Sequence, residues 1–373
     1  MNTKIIENMN KDKNLSKYAC KNSEGIRLKE EKNDIRPCFY RDSDRIIYSL
    51  AYQRYIDKTQ VFSYLKNDHV SKRINHVGMV SKIARTIGRA LNLNEDLIEA
   101  ASLAHDLGHV PFGHVGESIL NKICLEENLG YFNHNIQSVR NLMYIENKGN
   151  GFNITVQVLD AVMCHNGEML ENKLIPRKKT IEEFLNEYEL SYKEKGICIK
   201  FKPMTLEGCV VRISDVIGYI GKDIEDAIRM NVIKESDIPK SLKETLGKNN
   251  REIVNNLVLD IISNSYKKNY IKLSDKVFNA LKDLLKFNYE NIYAKANTKE
   301  QIKEYENMFR SLYENYKHDL ETNNKKSNIY KHFIDEMSNE YKENTKKERI
   351  VIDFIAGMTD DYFMREYKKL KNI

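Results

Sequence analysis

The sequence has no tryptophan, only five prolines and only 16 glycines among its 373 residues. It also has no stretch that approaches the roughly 18 uncharged apolar residues needed to cross a membrane, so we expect no membrane partner. Proline and glycine are the residues that most often interrupt helices. Their scarcity, together with apolar residues that recur at steps of three and four, predicts an all-α fold.

Cysteines are also few. The six cysteines form no Cys-x-x-Cys pair and no dense framework, which argues against a zinc ribbon or a disulfide scaffold. The first twenty residues lack an apolar core followed by a small-residue cleavage site, so we expect a cytoplasmic protein.

The net charge of +6 comes from 60 basic and 54 acidic residues. Because the lysines are mixed with acidic neighbours, this charge is more typical of a solvated surface than of a nucleic-acid-binding face.

Three regions are expected along the chain. Residues 1–35 are polar and charged, and predict a loosely ordered or partner-dependent arm. Residues 36–235 hold the histidines and the strongest helical patterns, and form the predicted core. Residues 236–373 are rich in lysine, glutamate, asparagine and tyrosine, and predict C-terminal helices that pack on that core.

Helical periodicity marks the core. Residues 77–91 carry one apolar stripe, and the next helix begins at an Asn94 cap and ends before Gly108. Two shorter helices are predicted over residues 113–124 and 155–164. These segments surround the densest group of histidines in the chain.

The clearest periodicity lies in residues 210–230, where isoleucines recur on one helical face and predict a buried seam. Asp215, Tyr219 and Asp223 form a second stripe at steps of four residues. This polar stripe points away from the isoleucines, so it faces either bulk water or a polar cavity. The isoleucines of the seam are Ile213, Ile217, Ile220, Ile224 and Ile228.

Histidines are concentrated in one part of the chain, with seven of the nine between residues 69 and 165 and three in "HDLGHVPFGHVGE", residues 105–117. His105 and Asp106 stand where a helix ends just before Gly108. Both side chains can therefore converge on one point beyond the helix end. A single His-Asp pair is weak evidence for a metal site, because structural histidines are common.

Two further candidate ligands strengthen the metal hypothesis. His76 lies at the start of the first amphipathic helix, and Asp215 lies on the polar stripe. Two imidazoles with two carboxylates suit a divalent ion of intermediate hardness, such as Mn²⁺ or Fe²⁺, whereas Mg²⁺ prefers more oxygen ligands. The spacing alone does not identify the metal.

These residues carry a family resemblance. "RINH" with His76, "HDLGH" with His105 and Asp106, and "VVRISD" with Asp215 resemble the signature of the HD-domain metal-dependent phosphohydrolases, and more narrowly the deoxynucleoside triphosphate triphosphohydrolases. Further matching stretches appear in family order over nearly the whole chain after residue 36. They are "DRIIYSLAYQRYIDKTQVF", "FNHNIQSVRNL", "LDAVMCHNGE", "VVRISDVIGYIGKDIEDAI" and "VIDFIAGMTDDY".

The resemblance implies an HD-domain helical bundle with additional C-terminal helices, and a metal-dependent hydrolysis of deoxynucleoside triphosphates to deoxynucleosides and inorganic triphosphate. The family's metal ligands fall on His76, His105, Asp106 and Asp215. The expected cofactor is one divalent ion, Mn²⁺ or Mg²⁺, with Fe²⁺, Co²⁺ or Ni²⁺ as further possibilities.

The resemblance also implies catalytic residues. The family's catalytic histidine falls on His114 and its acidic partner on Glu117, which are neighbours on one helical face at i and i+3. We expect His114 to act as a general acid and Glu117 to orient it, while a role for Glu117 as the base stays open.

Substrate contacts and partners are implied in the same way. Arg73 resembles a phosphate-binding arginine and Gln60 a residue that reads the sugar 3′-hydroxyl, while Tyr219 and Asp223 resemble the wall against deoxyribose. His134 falls near the site, with a role in phosphate contact or support of the ligands. The expected partners are a deoxynucleoside triphosphate, a nucleotide effector, weakly bound single-stranded nucleic acid, and further copies of the chain in a hexamer or tetramer.

The five other histidines receive separate predictions. His165 falls near the site in the resembling stretch and has the same two candidate roles as His134. His69 and His109 are interpreted as structural residues or supports of the ligands, and His318 and His332 as exposed.

Two alternative functions stay open at the sequence level. One is a different HD phosphohydrolase that acts on nucleoside monophosphates, cyclic nucleotides or alarmones. The other is a non-catalytic helical protein that binds nucleotides or nucleic acid. The sequence does not indicate the preferred base, the need for an activator, or the physiological role.

Overall fold

The computed structural model describes residues 9–10, 12–32, 34–61, 71–166 and 170–371. Over these ranges the fold is helical apart from a minor antiparallel ladder, in which β1 (Lys173–Leu174) pairs with β2 (Ile271–Lys272). The prediction of an all-α fold is therefore confirmed. Within the same ranges, none of the helices has both the length and the apolar character that a bilayer crossing requires.

Seventeen regular α-helices, named here α1 to α17, make up most of the part of the chain that is described. They are α1 (Cys38–Ile47), α2 (Leu50–Gln53), α3 (Arg73–Leu91), α4 (Glu95–Ala104), α5 (Gly113–Glu126), α6 (His134–Arg140), α7 (Val156–Met163), α8 (Ile181–Lys193), α9 (Leu206–Arg229), α10 (Lys240–Leu246), α11 (Asn250–Ser265), α12 (Asp275–Asn291), α13 (Lys299–Glu321), α14 (Asn328–His332), α15 (Asn339–Asn344), α16 (Lys347–Ala356) and α17 (Asp360–Lys371).

Shorter helical segments join these elements. A π-helical turn over Asn141–Ile145 continues α6, and the following turn over Glu146–Gly149 contains two residues with left-handed backbone angles. The 3₁₀ segments are Asp12–Asn14, Asn22–Glu24, Arg54–Asp57, Ile197–Lys200, Glu235–Asp237, Tyr293–Lys295 and Ile334–Glu336.

Helices α3, α4 and α9 pack against one another and form the centre of the fold. Four isoleucines of the predicted seam on α9 are buried, and Ile228 at its end is partly buried against the same core. Each fully buried aliphatic side chain stabilises the fold by about 1.5–3 kcal/mol. Because the isoleucine face of α9 is buried in this core, the opposite, polar face of α9 lies toward the end of α4.

Local signals set the ends of these helices. The Asn94 side chain accepts hydrogen bonds from the backbone amides of Asp96 and Leu97, which is the predicted N-cap of α4. Helix α3 begins at Arg73, four residues before the apolar stripe starts, after the extended backbone of Lys72. The first turn of α3 therefore carries polar side chains that the periodicity alone does not include.

The described part of the N-terminal segment packs on the core. The carboxylate of Glu207, in the first turn of α9, accepts hydrogen bonds from the backbone amides of Cys20 at 3.0 Å and Asn94 at 3.1 Å. Arg27 forms an ion pair with buried Asp42 at 2.8 Å. Buried acceptors in the core therefore hold the backbone and an arginine of this segment in its described part, residues 12–32.

The C-terminal helices bury their apolar faces against the preceding region. Helices α10 to α12 share one apolar cluster with α3 and α9, and α13, α16 and α17 share another with α5. The cluster with α13, α16 and α17 holds α5 in position beside the site.

Candidate metal centre and active-site cavity

The four predicted metal ligands meet at one point. His76 lies in the first turns of α3, His105 and Asp106 follow the end of α4, and Asp215 lies on the polar face of α9. His76 Nε2 is 3.0 Å from Asp215 Oδ1, and His105 Nε2 is 3.5 Å from both Asp106 Oδ1 and Asp215 Oδ1. Segments distant in sequence therefore present two imidazoles and two carboxylates to one small volume.

This group fits a divalent cation. His105 Nδ1 lies 2.6 Å from the carbonyl oxygen of Ser102 and donates to it, so the lone pair of Nε2 points at the centre. The Nε2 atoms of His76 and His105 are 3.3 Å apart, a separation that leaves room for a cation bonded to both. His76, His105 and Asp106 offer ligand atoms close enough together for one ion. HD domains bind divalent metals, and these residues could hold one.

The electrostatics of the cluster favour added positive charge. Burial opposes protonation of His105, but the carboxylates of Asp106 and Asp215 outweigh it and raise the pKa of this imidazole to about 9. For Asp215, burial acts to raise the pKa, but hydrogen bonds from His105 and His76 outweigh burial and bring the pKa below its usual range. The two carboxylates therefore supply negative charge that would balance the charge of a bound cation.

Arg73 lies beside the metal cluster. Its Nη1 donates to Asp106 Oδ2 in a buried ion pair, and its Nη2 donates to the carbonyl oxygen of Thr59 at 3.3 Å. The Nε atom is buried and has no hydrogen-bond partner among the residues that the structure describes. Arg73 also lines the adjoining cavity, where its guanidinium brings positive charge that suits an anionic ligand.

His114 and Glu117 are neighbours on α5, as their spacing predicts. His114 Nδ1 is 3.2 Å from Glu117 Oε2, and the His114 side chain is 72% exposed toward the cavity and solvent. Glu117 Oε1 also accepts hydrogen bonds from His134, at 2.7 Å from its backbone amide and 3.0 Å from Nδ1. Burial raises the pKa of Glu117, but His134 and His114 bring it well below its usual range. Such a weakly basic carboxylate suits the orienting role.

A cavity of about 520 Å³ opens beside these groups. Gln60, Tyr219 and Asp223 line it together with three residues of the metal cluster, so the polar stripe of α9 is a cavity wall. The three are His76, Asp106 and Asp215. Burial raises the pKa of the Asp223 carboxyl to about 7, although a hydrogen bond from Tyr293 at 2.8 Å opposes this shift.

The C-terminal region contributes cavity residues that the sequence analysis did not identify. Tyr289 and Tyr293 line the same cavity, together with Ala296 and Asn297. Two tyrosines at a four-residue spacing are only weak evidence for a binding site, because the surrounding amphipathic segment is rich in tyrosine. Only the packing of α12 beside α9 brings them to the site.

Three other predicted residues have clear positions. His109 is buried, its Nε2 lies 3.3 Å from Asp106 Oδ1, and its ring stacks on that of His134. His318 and His332 are exposed, as predicted. His69 lies outside the described residues.

His165 is buried at the metal cluster. Its Nε2 lies 3.7 Å from Asp106 Oδ1. Its Nδ1 is 2.6 Å from the carbonyl oxygen of Val162. Burial, followed by the neighbouring His105 and His134, lowers the pKa of His165 to about 3, so its imidazole is neutral.

Known proteins match this chain in two domains. Residues 73–218 match the HD domain, and residues 271–369 match the phosphohydrolase-associated domain. Three curated relatives are each described as a deoxyguanosinetriphosphate triphosphohydrolase-like protein. The relative from Caldanaerobacter subterraneus subsp. tengcongensis is 40% identical over 81% of this chain and 80% of its own length. The relatives from Clostridium tetani and Clostridium perfringens strain SM101 are each 38% identical, over 75% and 83% of this chain and 73% and 83% of their own lengths.

A weak structural likeness was also found. The HD domain of the phosphodiesterase PgpH from L. monocytogenes aligns with 65% of this chain and 98% of its own length, at 14% identity and a TM-score of 0.27. No conclusion about this chain is drawn from a likeness at that level.

Proposed function

Because this chain belongs to the deoxyguanosinetriphosphate triphosphohydrolase-like family of HD-domain phosphohydrolases, we propose that it hydrolyses deoxynucleoside triphosphates to deoxynucleosides and inorganic triphosphate with a divalent metal ion. The single observation that supports this most strongly is one cavity that joins three kinds of group. It is lined by members of the metal cluster, by the pair of His114 and Glu117, and by the wall formed by Tyr219 and Asp223.

The metal ion would be held by His76, His105, Asp106 and Asp215. When bound, such an ion acidifies water and polarises a phosphoryl oxygen. Arg73 lies against the cluster and lines the cavity, so its guanidinium would bind an oxygen of the triphosphate. This contact would place the α-phosphorus between the metal cluster and His114.

His114 would supply the proton that the leaving group needs. In the proposed reaction, an oxygen from water forms a bond to the α-phosphorus, the water loses one proton to the solvent, and the bond from phosphorus to the 5′-oxygen breaks. A His114 imidazolium whose Nδ1–H donates to Glu117 directs its other proton away from that carboxylate, toward the cavity. Transfer of this proton to the 5′-oxygen releases a neutral deoxynucleoside.

The cavity wall would select the sugar. The ring of Tyr219 would pack where a ribose 2′-hydroxyl would otherwise project, and so exclude ribonucleotides by steric overlap. Asp223 and Gln60, which also line the cavity, would bind the sugar hydroxyls. A deoxyribose is the sugar that best fits this combination.

A product assay tests the proposal. The purified chain is incubated with each deoxynucleoside and ribonucleoside triphosphate in Mn²⁺ or Mg²⁺, singly and in mixtures that provide an effector, and the products are separated by chromatography. We expect deoxynucleosides and triphosphate from the deoxy substrates, an inactive Asp106→Ala variant, and a fully active variant at the exposed control position, His318→Ala.

Two results would contradict the proposal. Release of orthophosphate or pyrophosphate would favour a different HD phosphohydrolase. Salt-dependent binding of single-stranded DNA without hydrolysis of any nucleotide would favour a binding protein.

A further inference from the structure

One carboxylate outside the cavity joins two segments that carry proposed site residues. Asp360, the first residue of α17, is half-buried and lies outside the set of residues that line the cavity. Its Oδ2 accepts hydrogen bonds from the hydroxyl of Thr59 and, at 3.2 Å, from the backbone amide of the same residue. Its Oδ1 accepts a hydrogen bond from the backbone amide of Phe112 at 3.1 Å. Each carboxylate oxygen therefore holds a different segment of the chain.

Phe112 directly precedes the helix that carries His114. Its backbone has a φ of 60° and that of Gly113 has a φ of 56°, so two successive residues take the left-handed conformation. This conformation is uncommon for a residue with a side chain, and it persists only where the surroundings hold it. Asp360 holds the amide of Phe112, and the Phe112 ring stacks on that of Tyr305 with 4.2 Å between centroids. Helix α5 therefore begins at a turn that the C-terminal region holds in place.

The position of the His114 imidazole depends on this turn. His114 is the second residue of α5, and its side chain is 72% exposed, so packing contributes little to its placement. Its hydrogen bond to Glu117 lies within the same helix and moves with it. A shift of the backbone at Phe112 would therefore move the imidazole relative to the bond that breaks.

The other segment held by Asp360 leads to Gln60. Thr59 precedes Gln60, which lines the cavity and would bind the sugar. A Cβ atom built on Gly113 would lie 3.6 Å from the Gln60 carbonyl oxygen, so this segment lies directly beside the start of α5. Asp360 therefore fixes a sugar contact and the start of the catalytic helix relative to each other.

Lys58 forms a second link between the same parts of the chain. Its side chain is buried, and its Nζ donates to the carbonyl oxygen of His109, between α4 and α5. The same Nζ donates at 3.2 Å to the carbonyl oxygen of Ala356, the last residue of α16. The loop before α5, the segment before Gln60 and the region between α16 and α17 are thus joined at two places.

We propose that Asp360 is a positioning residue for the hydrolysis, which sets His114 against the leaving group and Gln60 against the sugar at the same time. This inference deepens the proposed function and rests on it, because the two residues that it positions are the proposed acid and a proposed sugar contact. Misplacement of a reacting group by about 1 Å can lower turnover by about 10²-fold. The hydrogen bonds of Asp360 go to Thr59 and Phe112, so metal binding should not depend on it.

The Asp360→Asn variant tests this role. It keeps the size of the side chain but replaces one acceptor oxygen by an NH₂ group, which cannot accept from the amides that now meet Asp360. The matched control is Asp361→Asn at the exposed neighbouring position. We expect a kcat about 10–10²-fold lower and a higher KM in Asp360→Asn, with wild-type values in Asp361→Asn. Elemental analysis should find the wild-type manganese content in both variants.

A double-mutant cycle with His114→Ala separates positioning from a general loss of stability. If Asp360 acts on turnover through His114, Asp360→Asn should not lower kcat further in a chain that already lacks this imidazole. KM should still rise, because that effect passes through Gln60. The same fold loss of kcat in both backgrounds would overturn the inference, as would wild-type kcat and KM in Asp360→Asn.

Hydrogen–deuterium exchange tests the contact without reference to activity. Peptides that cover residues 109–116 should exchange faster in Asp360→Asn than in the wild-type protein and in Asp361→Asn. Equal exchange in the three proteins would overturn the inference. Thr59→Val, which removes only the hydroxyl contact, replaces Asp360→Asn if that variant does not fold. It should raise KM and keep kcat, and a wild-type KM would count against the proposed link to Gln60.

The failure of this inference is distinct from failure of the proposed function. A wild-type protein that hydrolyses no deoxynucleoside triphosphate would overturn the function, whatever the exchange measurement shows. A wild-type protein that releases triphosphate, with an Asp360→Asn variant of equal kcat and KM, would keep the function and overturn the role of Asp360.

Discussion

Tyr293 donates a hydrogen bond to Asp223 across 2.8 Å, and this contact joins the C-terminal region to the wall of the active-site cavity. Asp223 lies on α9 and Tyr293 follows α12, 70 residues later. The segment around Tyr293 lies in the part of the chain that matches the phosphohydrolase-associated domain. The C-terminal region therefore completes the site as well as packing on the core.

This hydrogen bond predicts a pH effect on catalysis. Burial raises the pKa of Asp223 to about 7, and Tyr293 opposes the rise. The variant Tyr293→Phe loses the donor to the charged carboxylate, so the pKa of Asp223 should move above 7. Because an ionised Asp223 is the better acceptor for a sugar hydroxyl, kcat/KM for a deoxynucleoside triphosphate should rise through pH 7 in the wild-type protein. The same rise should occur at higher pH in Tyr293→Phe.

The Asp223→Asn variant is the control for the pH effect. In this variant, the pH profile of kcat/KM should show no inflection from residue 223. An unchanged inflection near pH 7 in both variants would assign the titration to another residue.

Gly218 permits the close contact of α9 with α3 at the metal cluster. A Cβ atom at Gly218 would lie 2.8 Å from Val80 Cγ2 and 3.6 Å from the His76 ring. Gly218→Ala should therefore push the two helices apart, separate His76 from Asp215, and weaken Mn²⁺ binding by about tenfold or more.

The matched control for Gly218 is Gly78 on α3, where an added Cβ meets nothing within 4 Å. Gly78→Ala should leave Mn²⁺ affinity unchanged and stabilise the helix by about 0.5–1 kcal/mol. Titration with Mn²⁺ and thermal unfolding of both variants check this pair. Equal affinities in the two variants would contradict the proposed role of the close helix contact.

His114 should matter for turnover and not for folding. Its side chain is 72% exposed, so His114→Ala should keep the melting temperature and the metal content of the wild-type protein. Loss of a positioned general acid should lower kcat by about 10²–10⁴-fold. The measurement is steady-state hydrolysis with elemental analysis of the same preparations, and His318→Ala serves as the control. Wild-type turnover in His114→Ala would remove this residue from the mechanism.

Glu207 predicts a pH dependence of stability that is separate from the active site. Burial raises its pKa to about 7 against the opposing backbone amides, one of which belongs to Cys20 in the N-terminal segment. Between pH 4.5 and 7 the folded protein holds a proton that the unfolded chain has released. The contribution of this group to stability is therefore full below about pH 4.5 and is lost as pH rises through 7, by roughly 3 kcal/mol.

The variant Glu207→Gln should remove this pH dependence, because the amide stays neutral and can still accept the same hydrogen bonds. Urea unfolding at several pH values should show equal stability of wild type and variant near pH 4.5, and a more stable variant at pH 8. The exposed control Glu30→Gln should follow the wild-type protein at every pH. A constant difference between wild type and Glu207→Gln across the range would contradict the assignment.

The sequence by itself determined the helical fold class and the candidates for the site. Local spacing is enough to predict the isoleucine seam of α9, the Asn94 cap and the neighbouring positions of His114 and Glu117, because these features depend on residues within a few helical turns. The four proposed metal ligands were identified from the family signature. Their meeting at one point is a property of the folded chain.

The tertiary structure alone decided what surrounds those ligands. No local pattern indicates that Tyr293 reaches Asp223, that Glu207 binds the backbone of Cys20, or that His134 and His165 face each other beside Asp106. These contacts join segments that are far apart in sequence, and each depends on how whole helices pack. Spacing along a chain fixes the face on which a side chain lies, and only the packing of the helices fixes what that face meets.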